Sequence, residues 1–467
     1  MSLQIRFDVR FLLISALLFV AAFAVPGVLG NALFRNAVIA LAVAVAVLSS
    51  LPGGTRALVA AVMVGLATGI AAVNLFAVGI FQGPITREFG WSQAQYSLVT
   101  PVGTLITVLS SVAIGRLFDR TGVRRWAMVS AALLGLVLIS LYWLTPSKLQ
   151  FYGTFALIPL IGAGTSSIAY SRVVARWFDK RRGQAFGAAL AGIGVGGAVL
   201  SALSQSLIKE VGWRGAYVGL GLLSLCITLP LLYFCLHDTP AERGLSVDGE
   251  LPSTHAVTGE PTVVVMPLTG YTAEQTRRLP RFWVMLGSFL LLAFAIGGVM
   301  IPLVPILTAR GLPRDQAVAI FGMLGLALIV GRAFAGFLMD RLFAPYVAAV
   351  IVLFPIVGVT LLALGVSGAS AVIAAICVGV VAGAELDVIA VLITRYFGTR
   401  AYAENYGWQY AAWTLGSGSA PVITNLVYDR TGSHTPILWV YVCVFAVSAL
   451  LISRLGTYPV LPAVKAD

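Results

Sequence analysis

The chain has 467 residues, 59% apolar and only 10% charged, whereas soluble domains average roughly 45–50% apolar and about 25% charged; a soluble fold needs a charged surface over its core, so a water-soluble enzyme or scaffold is excluded and a multi-pass membrane protein is expected. The formal net charge of +12 sits in short loops between apolar runs, so anionic lipid headgroups and not nucleic acid are the expected partner. Cys226, Cys235, Cys377 and Cys443 show no paired spacing and the three His no cluster, which excludes a disulfide framework and a zinc site, and no cofactor is expected.

A run of roughly 20 residues crosses about 30 Å of hydrocarbon. In chain order, 11–29 and 33–51 come first, an extra amino-terminal hydrophobic helix pair over residues 1–54. A cleaved signal peptide or a misassigned start codon is the alternative there. Runs at 57–82, 95–116, 123–144, 150–175, 184–207 and 213–236 make a six-helix bundle over residues 55–236. Residues 237–280 are the longest polar stretch and read as a cytoplasmic linker, in which Thr272 and Gln275 can cap a short helix leading to Arg281. Runs at 282–308, 316–338, 345–366, 368–394, 404–427 and 435–455 make a second bundle over 281–467. The runs are continuous and not alternating, so helices are expected throughout. With the amino terminus in the cytoplasm, 21 basic residues face inward and eight outward, with Arg332 inside a span. That bias places both termini on the cytoplasmic side of the cell's inner membrane.

Two segment pairs repeat across the linker. Gly115-Arg116-Leu117-Phe118-Asp119-Arg120 matches Gly336-Phe337-Leu338-Met339-Asp340-Arg341, and Ala175-Arg176-Trp177-Phe178 matches Thr394-Arg395-Tyr396-Phe397. Two six-helix halves of similar design imply a pseudo-symmetric, monomeric transporter with its site at the interface of the halves. Gly115 and Gly122 permit close packing and a sharp turn, Asp119, beside Arg120, can accept hydrogen bonds at a neighbouring helix's amino terminus, and Arg124 and Arg125 hold the loop at the headgroups. With Gly336, Asp340 and Arg341 in the second copy, these residues could latch one of two rocking states; the plainer reading is a positive-inside loop.

The stretch GRLFDRTGVRR resembles the loop signature of the major facilitator superfamily. Asn74 to Tyr96, with ARWFDKRRGQAFG and GAELDVIAVLITRYFG, resembles the branch of the monocarboxylate transporters and oxalate/formate antiporters. The resemblance covers about residues 57–456 and implies the major facilitator fold, twelve core helices and alternating access. Residues 1–54 are not part of it.

Three ionisable residues fall inside spans. Arg332 lies eight residues before Asp340 and Asp387 eight before Arg395, so both sit at a similar depth, about 12 Å at 1.5 Å per residue. Glu385 lies two residues deeper on another face. A charge in hydrocarbon costs roughly 2.5–3.5 kcal/mol or more, so these groups should face a cavity or one another. Arg332 can receive a substrate carboxylate on its planar fork, and the resemblance puts it where monocarboxylate transporters place a substrate-binding Arg. The alternatives are an ion pair with Asp387 or Glu385, or snorkelling to the surface. Protonating an acid would free Arg332 for an anion, which makes Asp387 and Glu385 the candidate proton-coupling sites. The branch's animal members carry an Asp one turn before the Arg and a Lys in the first core helix; here stand Leu328 and Phe76, which leaves a different carboxylate, larger or aromatic, open.

The further substrate-contact candidates are Asn74, Tyr170, Tyr406 and Tyr410, with Gln82, Thr165, Ser166 and Trp413 near them. Tyr406, Tyr410 and Trp413 form one stripe, which is as compatible with packing as with a ligand. Asn405 and Gln409 are candidate seam contacts, and Gly187, Gly192, Gly196 and Gly197 are close-packing positions. The leading expectation is a secondary transporter for an organic anion, a monocarboxylate, by proton symport or exchange against a counter-anion. Efflux of amphipathic compounds, with Arg332 structural, is the alternative. No catalytic constellation or Walker motif is present, so neither an enzyme nor direct ATP drive is expected.

Overall fold

The computed structural model describes residue 48 and residues 51–73, 78–251, 253–254, 261–262, 268–365 and 368–463. The expected span 11–29, nearly all of 33–51, and Asn74 and Phe76 lie outside these residues. Apart from connecting loops and turns, the described chain is helical, with two-residue strands β1 (Ser253–Thr254) and β2 (Pro261–Thr262) paired antiparallel and isolated bridges at Thr269–Ala463 and Gly270–Gly398. It falls into two compact units, 48–110 with 116–267, and 111–115 with 268–463.

The first unit contains α1 (Gly53–Ala67), α2 (Val78–Phe89), α3 (Val99–Thr121), α4 (Arg124–Ser140), α5 (Lys148–Ile161), α6 (Ser167–Trp177), α7 (Arg182–Leu223) and α8 (Leu229–Cys235). Two expected spans are interrupted, and the breaks meet. The run 57–82 stops being helical at Thr68, whose hydroxyl turns back to the Val64 carbonyl at 2.9 Å and meets the Thr228 hydroxyl at 2.7 Å. Gly69 is extended there, and a Cβ on it would lie 2.5 Å from the Thr165 carbonyl. The run 150–175 breaks between α5 and α6 through the 3₁₀ turn Ala163–Thr165. Non-helical backbone inside an apolar span must be satisfied by protein: Ile70 N–H donates to Thr165 Oγ1 at 3.2 Å, and Gly164 N–H to Ser130 Oγ at 2.9 Å. The runs 184–207 and 213–236 are one helical trace, reversed at Gly212, whose φ of 74° suits glycine. Trp213 beyond that turn donates its indole N–H to Glu88 at 2.6 Å, and Arg214 pairs with the same carboxylate. Gly192 and Gly196 hold α7 against α1: a Cβ on either would lie 2.2 Å from the Met63 or Ala67 carbonyl.

At the basic loop after α3, Asp119 pairs with Arg172 of α6 at 2.9 Å. Helical side chains lean toward their own amino terminus, so a residue in the last turn of α3 reaches back along the helix. Asp238 caps α4, accepting from Val123 N–H at 2.7 Å and Arg124 N–H at 3.3 Å. Gly122 (φ 82°) makes the turn, leaving only 2.5 Å between its notional Cβ and the Asp238 carboxylate. Asp238→Ala should lower the unfolding free energy by about 1 kcal/mol, the usual worth of a helix cap; a thermal melt of the purified variant reads this, and an unshifted melt would remove the cap's role.

The second unit contains α9 (Ala273–Arg278), α10 (Pro280–Met300), α11 (Leu303–Ala309), α12 (Arg314–Met339), α13 (Ala344–Ala363), α14 (Ala369–Tyr396), α15 (Tyr402–Thr431) and α16 (Thr435–Ser453). The cap expected at Thr272 is present: Gln275 N–H donates to Thr272 Oγ1 at 3.2 Å, and Thr272 N–H to Gln275 Oε1 at 2.9 Å. Among the described residues, nine helical stretches are long and apolar enough to cross a membrane.

The pairing of α12 with α14 sets the register that matters below. A Cβ on Gly379 would lie 2.5 Å from the Leu324 carbonyl, one on Gly383 2.0 Å from the Leu328 carbonyl, and one on Gly331 2.3 Å from the Val380 carbonyl. Backbones this close are what a small-xxx-small spacing permits in lipid. Gly383→Ala must push α12 and α14 apart, a cost of about 1–3 kcal/mol, so its melt should fall well below the parent's. An unchanged melt would show that the contact is dispensable.

Candidate functional site

The rungs Leu324–Gly379 and Leu328–Gly383 advance four residues at a time on both helices, and the next rung is Arg332–Asp387. The close approach therefore delivers the guanidinium to the acid at the end of a row of small-residue contacts. Arg332 Nη1 stands 3.7 Å from Asp387 Oδ1, with the side chains 3% and 0% exposed. That is an ion contact beyond hydrogen-bond length. Nε and Nη1 of Arg332 and both carboxylate oxygens of Asp387 are buried without a hydrogen-bond partner. A fully clamped structural pair would use a bidentate fork; this one holds its charges together and leaves its bonding capacity open.

Glu385, also buried, has Arg332 and the indole N–H of Trp413 as its polar neighbours, but Trp413 closes no hydrogen bond to it. Its other side borders apolar residues including Phe289, Leu292 and Ile351 of α10 and α13. The two acids thus point differently, as their i, i+2 spacing requires, and Asp387 is the partner of Arg332.

Helix α15 supplies the third wall. Tyr402, Tyr406, Tyr410 and Trp413 form a continuous ladder with ring centroids 5.9, 6.3 and 5.4 Å apart and interplanar angles of 33°, 24° and 21°. Tyr406 is within electrostatic reach of both Asp387 and Arg332, and its buried hydroxyl has no partner. Tyr410 and Trp413 are half-buried. The rings make a flat face whose first members border the charged pair. On the neighbouring strip of α15, Asn405 Nδ2 meets Thr276 Oγ1 at 3.4 Å, a seam contact, whereas neither end of the fully buried Gln409 amide is bonded.

The structure thus brings together Arg332, Asp387, Glu385, Tyr406, Tyr410 and Trp413. Tyr170 belongs to the other unit, buried in α6 against Gly65, its hydroxyl unpartnered. Gln82 is spent on Ser97 at 3.3 Å, and Asn74 lies outside the described residues. Among the loop residues, Gly115, Asp119 and Arg120 occupy the last turns of α3, and Gly122 and Arg124 the turn into α4, with Arg124 donating to the Tyr233 carbonyl at 2.9 Å. Gly336 is buried in α12, Asp340 ends that helix, and Arg341 lies over the Phe337 ring at 3.5 Å. One signal for the pair is present in the sequence: Gly379-x₃-Gly383-x₃-Asp387 against Leu324-x₃-Leu328-x₃-Arg332 selects Asp387 over Glu385, which depth alone does not.

A family profile described as Major Facilitator Superfamily matches residues 62–421. The chain is 24% identical over 379 residues to monocarboxylate transporter 12 of Homo sapiens, covering 76% of this chain and 71% of that protein. It is 23% identical over 357 residues to YhjX of Escherichia coli (strain K12), described as an uncharacterized MFS-type transporter, covering 75% and 83%. Among solved structures, the E. coli fucose:proton symporter FucP is similar in fold, with a TM-score of 0.61 over 86% of this chain and 98% of that one at 14% identity.

Proposed function

The chain belongs to the Major Facilitator Superfamily, and from that premise we propose that this membrane transporter moves a monocarboxylate by alternating access, with Arg332 receiving the carboxylate. The observation that carries the reading is the Arg332–Asp387 contact at 3.7 Å, buried and without a hydrogen bond. A guanidinium in hydrocarbon needs a counter-charge. Asp387 supplies it at rest, and an incoming carboxylate, matching the planar fork with two oxygens, competes for the same donors. Protonating Asp387 removes the competitor, so proton and anion would travel together; Glu385, facing Trp413, is the second proton candidate. The relative named a monocarboxylate transporter supports the same cargo class.

The rest of the reading follows the sequence. The bundles are 55–236 and 281–467, joined by a linker over 237–280; the charge bias puts both termini in the cytoplasm of an inner membrane; the protein is a monomer and not an enzyme. Tyr406 and Tyr410 flank the anion. The repeated loops around Asp119, Arg120 and Arg124, and around Asp340 and Arg341, latch one conformational state. A second reading, efflux of amphipathic compounds with Arg332 structural, draws on the aromatic ladder, which a neutral planar compound could also use.

Uptake of a labelled carboxylate panel into proteoliposomes separates these. Accumulation driven by an imposed pH gradient supports symport, and uptake driven only by internal counter-anion supports exchange. A protein that moves neutral amphipaths and no carboxylate under either drive would sink the anion reading.

A further inference from the structure

The geometry points to a second anion site, independent of Arg332, at the buried amino terminus of α6: the first-turn N–H groups and the hydroxyls of Ser166 and Ser167 would bind a small monovalent anion such as chloride or a carboxylate head. Helix α6 begins in mid-span, since Ser166 lies eleven residues before Trp177, about 16 Å at 1.5 Å per residue, or half the hydrocarbon thickness.

The first N–H groups of any helix have no partner within it and carry its positive partial charge. In water they are solvated; in a membrane they need an acceptor from protein or ligand. The N-cap residue Ser166 has the extended backbone of a capping serine, φ −93° and ψ 167°, yet makes no side-chain cap bond. Its Oγ and that of Ser167 are buried, 6% and 0% exposed, with no hydrogen-bond partner, and one turn on the Tyr170 hydroxyl is likewise buried and unpartnered.

The same break satisfies its other polar groups. Thr165 Oγ1 accepts from Ile70 N–H and donates to the Gly162 carbonyl at 2.8 Å, and Ser130 Oγ accepts from Gly164 N–H. Among the described side chains at the break, the open capacity lies on Ser166, Ser167 and Tyr170 of α6, and each of these hydroxyls can donate. Backbone N–H groups and hydroxyls around a helix amino terminus suit a dehydrated anion of single charge, which needs no lysine or arginine there.

The test is thermal unfolding of the purified full chain at fixed ionic strength, with gluconate, a bulky and strongly hydrated anion, exchanged for chloride or acetate. Chloride should raise Tm saturably over gluconate in the parent. Ser166→Asp, which places a tethered carboxylate at the cap, should raise Tm in gluconate and abolish the chloride increment. Ser166→Ala with Ser167→Ala should reduce the increment without that gain, and serves if Ser166→Asp does not fold. The Arg332→Ala/Asp387→Ala double variant should keep the increment, which separates this site from the carboxylate reading. An increment from acetate assigns the site to a carboxylate head, and one from chloride alone to an inorganic counter-ion. No increment in the parent, an increment untouched by the serine changes, or one lost with Arg332 would overturn the proposal.

Discussion

Arg332→Ala should cut carboxylate uptake by roughly 30-fold to a thousandfold or more, since truncating one partner of a buried charge-assisted contact costs about 2–5 kcal/mol. The loss should be in transport and not in fold. Asp387, left without its cation, can take a proton and become a neutral buried acid, whereas an arginine in the reverse situation has no such escape. Arg332→Lys should be intermediate: the charge survives, but a point ammonium cannot offer two parallel donors to one carboxylate. Initial rates in proteoliposomes, normalised to monodisperse protein, measure this. Uptake within twofold of the parent in Arg332→Ala would assign Arg332 to structure alone.

Asp387→Asn should do the opposite damage. It leaves a guanidinium 2% exposed with its nearest counter-charge removed and no way to neutralise itself; breaking a buried pair this way costs about 3–5 kcal/mol. The melt should fall further than for Arg332→Ala, and accumulation driven by a pH gradient should disappear while exchange of preloaded anion persists. Adding Arg332→Ala to Asp387→Asn should restore the melt and abolish transport of both kinds. If the two single variants instead lose equal stability and the double variant loses their sum, the residues are not coupled.

Several features were legible before any coordinates. Composition and apolar run length gave a multi-pass helical protein, and the repeated GRLFDR and GFLMDR segments gave two halves, because lipid leaves the chain few other solutions. The Arg332–Asp387 pairing was one of two open choices, since Asp387 and Glu385 differ in face and by only two residues in depth, a step an arginine side chain can span. What resolves it is backbone-to-backbone packing at Gly379 and Gly383, a tertiary contact that single-helix periodicity does not encode. The breaks at Gly69 and Gly162–Ser166 lie inside runs that hydropathy counts as continuous; Thr165 and Ser130 satisfy the freed backbone, and hydropathy is blind to hydrogen bonds. The cap of α4 comes from Asp238, 115 residues beyond Val123, a long-range contact that local spacing does not reveal. Tyr406, Tyr410 and Trp413 share one stripe, as their spacing implies, but spacing does not say whether a stripe meets charges or lipid; the nearness of Tyr406 to Arg332 and of Trp413 to Glu385 does.

The most direct measurement is calorimetric binding of a monocarboxylate, with benzoate as the probe, to the purified parent, to Asp387→Asn and to the Arg332→Ala/Asp387→Ala double variant. Competition between Asp387 and cargo for one guanidinium predicts, with saturating chloride present to fill the first turn of α6, binding in the parent, tighter binding in Asp387→Asn, and none in the double variant. Equal affinity in the parent and the double variant would contradict the account.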